Sequence, residues 1–383
     1  MRDLALELHR QGHAPVVILP SSELEGRSRL DVVEGVEVLR VAGPRTKDIG
    51  YLRRTLSEMT LPFVMLRGLD ATAHRHTRWD LIVWYSPTIF FGPLVWILKR
   101  RSACRGDLIL RDIFPEWAFD LGLMGKGLPY AFFKGVASLQ YRVADAIGVQ
   151  TPSNLAYLKF WHSPPRRRLE VLQNWLAPAP DVGSSIRVAQ TALAGRKVFV
   201  YIGNMGVAQG MDIFIDLAAS LESRRDVGFL FVGRGSEVAR LAAQVTLRGL
   251  TNTLFFGEVD SREMPGLLAQ CHVGLLALDP RHKTHNIPGK FLTYLLAGLP
   301  VLARVNEGTD IAELIAREDV GRVYVGESVQ VLKDLAIELA DNPTTHAGMS
   351  SRGCELALRM FSPQTAARQI TALAPGMPDT MPH

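Results

Sequence analysis

The sequence predicts an α/β protein of two doubly wound, Rossmann-like domains facing each other across a ligand cleft. Three observations carry that prediction. Through the C-terminal half, short apolar runs alternate with amphipathic runs of about a dozen residues, the pattern of βα units on a parallel sheet. The N-terminal half shows the same alternation less cleanly. The length, 383 residues, is too great for one core and suits two. Doubly wound sheets bind ligands beyond the carboxyl ends of their strands, so the residues just after each strand are the first candidates for function.

In the N-terminal half RDLALELHRQ reads as a helix and APVVILP, VEVLRVAG, LIVWYS and DLILRDI as strands; IGVQTP (147–152) and RRRLEVLQNW (166–175) close it. The stretch APAPDVGSS, 177–185, is rich in Ala, Pro, Gly and Ser and reads as the linker. Domains are therefore expected over 1–178 and 179–355. A C-terminal helix and tail over 356–383 are expected to pack back toward the N-terminal domain. In the C-terminal half KVFVYIG (197–203), GFLFVG, NTLFFGEV, HVGLLAL and PVLARV read as strands. MDIFIDLAASLESRRD, SEVARLAAQVTLRGL, SREMPGLLAQC (with Ser261 as N-cap) and NIPGKFLTYLLAGL read as the helices between them, and FSPQTAARQITALAP as a last helix.

Composition narrows the class. A hydrophobic content of 47% and a charged content of 21% describe a folded globular chain. The net charge of +5 and a pI near 9.2 favour anionic partners. Cys104, Cys271 and Cys354 form no CxxC pair, which argues against a disulfide framework or a zinc site and fits a reducing cytoplasm. The N-terminal MRDLALELHRQGH lacks the apolar core of a signal peptide. The uncharged run 81–98 ends at Lys99-Arg100-Arg101 and approaches the roughly 20 residues that span a bilayer. Ser86-Pro87 and Gly92-Pro93 break it into a strand and the helix GPLVWILKRR, whose basic end still suits a membrane surface. Short basic runs without interleaved aromatics give no nucleic-acid signature.

Three turns carry phosphate chemistry. YIGNMGVAQGMD (201–212) places Gly203, Gly206 and Gly210 between a strand and a helix, where backbone N–H groups approach an anion and the helix start adds positive potential. Its spacing is not the GxGxxG of dinucleotide binding. VGRGSE (232–237) repeats the arrangement with Arg234, a residue that either meets a phosphate bidentately or is simply solvated. NIPGKF opens a helix with Pro288 in its first turn, Gly289 for close approach and Lys290 as a cation. Together they predict a nucleotide-diphosphate site in the C-terminal half, with the strand edge Gly257-Glu258-Val259 available to a base. In the other half RDIFPEWAFDLG (111–122) sets Asp112 and Glu116 among aromatics after a strand, either as cleft carboxylates able to orient a hydroxyl or take its proton, or as a surface loop. His13, His272, His282 and His285 form no HxxxH pair with one another and no DxD occurs, so no metal is expected.

These segments, with LALELHRQGH, VADAIGVQTPSN, VLQNW and NIPGKFLTYLLAGLPVLA, resemble a family 4 glycosyltransferase of the GT-B fold over nearly the whole chain. GNMGVAQG, RDIFPEW and IPGKFLTY most resemble the L-fucosamine transferase subgroup of bacterial surface-polysaccharide synthesis. The resemblance implies a retaining transferase needing no cofactor or metal. It would take a nucleotide-sugar donor, UDP-linked, with an N-acetylated deoxyhexosamine as candidate sugar. The acceptor would be a lipid-linked saccharide of O-antigen or capsule synthesis, met at the inner face of the cytoplasmic membrane. Gly203, Asn204, Gly206, Gln209 and Gly210 would cradle the diphosphate, Gly257, Glu258 and Val259 would lie by the base, and Asn286, Pro288, Gly289 and Lys290 by the diphosphate and sugar. No catalytic residue is fixed; Asp112, Glu116 and Lys290 are the candidates.

The chain departs from that family in three places. His285 and Thr293 stand where many members carry two glutamates, the second near the ribose. Gln209 stands where many have Lys or Arg, which makes Lys290 and Arg234 the expected compensating cations. The chain also opens directly on the LALEL helix, without the strand and Gly-rich loop that usually precede it. That strand is central in a doubly wound sheet, so a break in the N-terminal sheet is expected, together with an upstream start or a truncated chain. Two other functions fit the residues: a non-catalytic nucleotide-sugar-binding or partner subunit, and a nucleotide-sugar epimerase of the same fold.

Overall fold

The computed structural model describes residues 1–46, 49–86, 88–120, 122–161, 167–278 and 286–374. His282, His285, Arg166 and the tail after 374 lie outside them. The chain divides into two compact units, Met1–Trp175 with Pro363–His383, and Leu176–Ser362.

The N-terminal unit runs α1 (Arg2–Arg10), β1 (Val16–Ser21), β2 (Ser28–Val33), β3 (Val36–Ala42), α2 (Tyr51–Asp70), β4 (Leu81–Ser86), α3 (Gly92–Ser102), β5 (Arg105–Leu110), α4 (Glu116–Asp120), α5 (Leu128–Val143), β6 (Ala146–Val149) and β7 (Arg168–Val171). Its strands form two sheets, in the orders β1-β3-β2 and β4-β5-β6-β7. No ladder joins β1 to β4 among the described residues, so the expected break is present. Helices nevertheless cover both sheets as one layer. From α1, Leu4 and Leu8 pack with Leu81, Val83 and Ile109 of the four-stranded sheet, while Ala5 and Leu6 pack with Val17, Val36 and Val38 of the three-stranded one.

Four elements here, β2, α2, α4 and α5, have no counterpart in the sequence reading. The hairpin strand β2 is short and mostly polar on one face. The helix α2 hides its period, because it is apolar on two faces and carries Pro62 inside.

The C-terminal unit continues with β8 (Lys197–Ile202), α6 (Asp212–Ser220), β9 (Val227–Val232), α7 (Val238–Leu247), β10 (Thr253–Phe256), α8 (Met264–Leu268), β11 (Val273–Ala277), α9 (Gly289–Leu296), β12 (Val301–Arg304), α10 (Asp310–Glu318), β13 (Gly321–Tyr324), α11 (Val329–Asp341) and α12 (Pro343–Met360). Its single sheet has the order β10-β9-β8-β11-β12-β13, and every pairing is parallel. This is the doubly wound order, with the topological switch between β8 and β11. The strands are buried on both faces, which is why they read as unbroken apolar runs. The final helix, α13 (Pro363–Thr371), packs Ala366, Ala367 and Ile370 against Leu4, Ile109 and Leu172 of the N-terminal unit.

Three local readings are corrected. The strand β10 stops at Phe256, so Gly257–Val259 is loop and not strand edge. Asp260, not Ser261, caps the turn before α8, its carboxylate accepting the Arg262 N–H at 2.9 Å. Pro288 is the N-cap of α9 and not its first helical residue, because its ψ of 137° is extended.

Candidate functional site

The carboxyl ends of β8 and β9 and the head of α9 meet in the C-terminal unit. The loop after β8 and the loop after β9 are joined backbone to backbone. Gly203 N–H donates to Val232 O at 2.9 Å, Met205 N–H to Arg234 O at 2.7 Å, and Glu237 N–H to Met205 O at 3.1 Å. Such contact requires glycine on the β9 side. A Cβ at Gly233 would overlap Gly203 O, and one at Gly235 would overlap Met205 O. The glycines of VGRGSE are thus explained by packing, whereas a Cβ at Gly203 or Gly289 would meet open space.

Within the first loop Gln209 acts as a local brace. Its Oε1 accepts the Gly206 N–H at 2.9 Å and the Asn204 amide at 3.3 Å. Gly210 follows in the left-handed region at φ 56° and turns the chain into α6. One N–H that an anion would want is therefore already satisfied by Gln209.

Helix α9 is fixed by a residue that sequence reasoning passed over. The Tyr294 ring lies against Gly274 of β11, where no Cβ would fit. Its buried hydroxyl accepts the Ile202 N–H at 3.0 Å and lies 3.1 Å from Leu275 O and 3.2 Å from Val200 O as a donor. The ladder between β8 and β11 spans only Val273–Phe199 and Gly274–Val200. Beyond it the strands diverge, and the phenol satisfies the backbone groups that the gap exposes. The only sequence signal was a phenol hydroxyl in a largely apolar helix.

One turn earlier on the same face sits Lys290. Its Nζ lies 3.5 Å from the centroid of the Tyr201 ring. Burial lowers its pKa from 10.5 to about 7, so the ammonium is poorly solvated and held over an aromatic face. The other expected contributors are engaged elsewhere. Arg234 Nε pairs with Glu258 at 3.0 Å, both side chains being exposed. Thr293 Oγ1 donates to Gly289 O at 3.3 Å, back-bonding along its own helix. Asn286 and Pro288 lead into α9 half-buried, and Ile287 between them is buried. Val259 is half-buried, and Gly257 is exposed.

In the N-terminal unit the RDIFPEW segment begins with a buried Arg111 that donates to Leu172 O at 2.6 Å and Gln173 O at 3.1 Å. Asp112 beside it is exposed, yet nearby protein still desolvates the carboxyl and raises its pKa, with Arg111 opposing. Glu116 is ion-paired to Lys134 of α5, so its carboxylate is already engaged. Between the sheet and α13, Asp107 is fully buried with no hydrogen-bond partner for its carboxylate among the described residues. Burial and the neighbouring Glu170 raise its pKa to about 7. No group of three or more His, Cys, Asp or Glu residues able to hold a metal occurs among the described residues.

The two Rossmann-like α/β units, the second with the doubly wound strand order, give the chain the GT-B fold. Residues 185–355, just under half of the chain, match the family model described as "Glycosyl transferases group 1". Over 285 residues it is 26% identical to a Pseudomonas aeruginosa protein named as glycosyltransferase WbjE, covering 73% of this chain and 70% of the relative. Over 262 residues it is 26% identical to the colanic acid biosynthesis glycosyl transferase WcaI of Escherichia coli strain K12, covering 63% of this chain and 61% of that one. The fold superposes with a TM-score of 0.61, at 19% identity, on Anabaena Alr3699/HepE solved in complex with UDP and glucose, covering 88% of this chain and 86% of that one.

Proposed function

We propose that this protein transfers a sugar from a UDP-linked donor to a lipid-linked saccharide in bacterial surface-polysaccharide synthesis, with an N-acetylated deoxyhexosamine as the candidate sugar. The observation that carries the donor reading is the half-buried Lys290 at the head of α9, its ammonium over the Tyr201 ring beside the end of β8 and its glycine loop. A diphosphate there would exchange the tyrosine ring for an anion as partner of the lysine, and would take its remaining hydrogen bonds from backbone N–H groups. The donor charge is met by Lys290 and main-chain dipoles, so no metal is required, and no catalytic base is assigned in a reaction that retains configuration. The relatives' names support the polysaccharide pathway, and the UDP-bound structural neighbour supports the nucleotide. The basic balance and the helix ending in Lys99-Arg100-Arg101 support work against the inner membrane face.

A second reading, a nucleotide-sugar-binding subunit without turnover, is favoured by one set of contacts. Gln209 through its Oε1, Arg234 and Thr293 each already pair with a partner in the chain. Incubation with a panel of UDP-sugars, with and without membrane extract, separates the readings. Transfer of label to lipid supports the transferase; isomerised free sugar identifies an epimerase; binding without turnover identifies the subunit.

A further inference from the structure

Helix α2 is apolar on two opposite faces. Leu61, Met65, Gly68 and Leu69 follow helical spacing and are buried in the core of the N-terminal unit. Leu52, Leu56, Met59 and Phe63 follow the same spacing on the other side, and they are exposed: Leu52 to 84%, Leu56 to 64% and Phe63 to 55%. Burial of the first stripe explains why the helix folds; nothing within the unit explains the second. The outer stripe continues sideways. Met59 and Phe63 line an apolar groove of about 190 Å³ with Pro93 of α3 and Phe132, Val136 and Leu139 of α5. At helical spacing from these lie Trp96 of α3, itself 48% exposed, and Arg142 of α5.

The three helices carry eight basic residues and two acidic ones; Arg54, Arg101, Lys99 and Lys134 pair with Glu58, Asp70, Asp145 and Glu116, which leaves Arg53, Arg67, Arg100 and Arg142 as the excess charge. Arg53 and Arg67 flank the apolar stripe of α2 near its two ends. Arg100 stacks over Trp96 at 4.4 Å, with its charge beside an indole half out of the surface. The groove is smaller than the roughly 300 Å³ at which small-molecule sites begin. An exposed apolar stripe that continues into a groove between two further helices marks an interaction surface.

We propose that the face formed by α2, α3 and α5 docks on an anionic lipid bilayer, with Leu52, Leu56, Phe63 and Trp96 entering the headgroup boundary and the arginines meeting lipid phosphates. The charge decides between occupants. A second copy of the chain on a self-complementary interface would bring two net-basic faces together. An anionic surface attracts the same residues while the apolar stripe inserts. No helix among the described residues is long and apolar enough to cross a membrane, so the contact would be made from one side. This inference deepens the membrane-side reading of the proposed function and names the surface that serves it.

The test uses the full chain and vesicles of phosphatidylcholine alone or with 30% phosphatidylglycerol (about physiological anionic content). The protein should sediment with the anionic vesicles and not with the neutral ones. The double variant L56E/F63E should lower the bound fraction at least about tenfold, while L247E, an exposed apolar site in the C-terminal unit, should not. Unchanged thermal melting and unchanged UDP-glucose binding show that the double variant is folded. No sedimentation of the parent chain, or equal sedimentation of L56E/F63E, overturns the proposal. So does concentration-dependent dimerisation that L56E/F63E abolishes in the absence of vesicle binding. Loss of UDP-glucose binding in the parent chain would instead remove the donor reading and leave the vesicle result standing.

Discussion

The ammonium of Lys290 lies 3.5 Å from the centre of the Tyr201 ring, with its pKa lowered by burial to about 7. The pair joins the first residue pattern of the glycine loop to the head of α9, and it makes the candidate site titratable in the physiological range. The free lysine is charged below pH 7 and neutral above it. Affinity for UDP-glucose, whose phosphates keep their charge over this range, should therefore weaken roughly threefold to tenfold between pH 6 and pH 8.5. Isothermal titration across pH reads this directly, and a flat profile in the parent chain would separate Lys290 from the donor. In K290A the profile should be flat and the affinity low throughout.

The same residue costs the unliganded fold something. A lysine whose folded pKa is depressed below 10.5 destabilises the fold fully below about pH 7, and that cost fades as pH rises toward 10.5. K290M should then raise the melting free energy at pH 6 by about 1 kcal/mol, and by less at pH 9. Stability gained together with donor affinity lost is the signature of a functional lysine; loss of both would mark a structural one.

Glycines of the site should separate by role. G235A forces a Cβ onto Met205 O at a φ of 152°, and should destabilise by about 3 kcal/mol or more in chemical denaturation. G289A meets open space in the first turn of α9 and should be neutral or stabilising by up to about 1 kcal/mol. If the backbone at Gly289 approaches a phosphate, G289A nevertheless weakens UDP-glucose binding.

Removal of the Tyr294 hydroxyl leaves the Ile202 N–H and the strand carbonyls around it buried without a partner. Y294F should cost about 2–3 kcal/mol, with faster hydrogen exchange at Ile202 as the local readout. Equal exchange in the two forms would mean that water fills the gap.

Asp107 gives the N-terminal unit a pH dependence of its own. Its folded pKa, about 7, stands above the ordinary 3.8, so the fold prefers the protonated acid and loses stability as pH rises from about 4 through 7. The loss is bounded by about 4 kcal/mol. D107N, which keeps the shape of the protonated acid, should melt at similar temperatures at pH 5 and pH 8, whereas the parent chain should melt lower at pH 8.

Legibility in the sequence followed burial. The strands β8, β9 and β11 are covered on both faces, so each is an apolar run bounded by glycine or polar residues. Helix α2 was invisible because a helix apolar on both sides has no contrast between its faces. The positions Gly203, Gly210 and Lys290 could be picked out because turns after strands need unusual residues. The engagement of Arg234 by Glu258, and of Gln209 by Gly206, could not, since these pairings depend on how loops close in space.

The sequence by itself determined the α/β class, the run of βα units from β8 to β12 and the glycine-bearing turns after β8 and β9, because hydrophobic period and glycine placement act over a few residues. Only the tertiary structure decided which polar groups those turns leave for a ligand. It alone placed Lys290 over Tyr201, tied α9 to the diverging strands through Tyr294, and left one face of α2 outside the core. Each of these is a contact between residues distant in the chain, set by packing and desolvation, which no local pattern encodes.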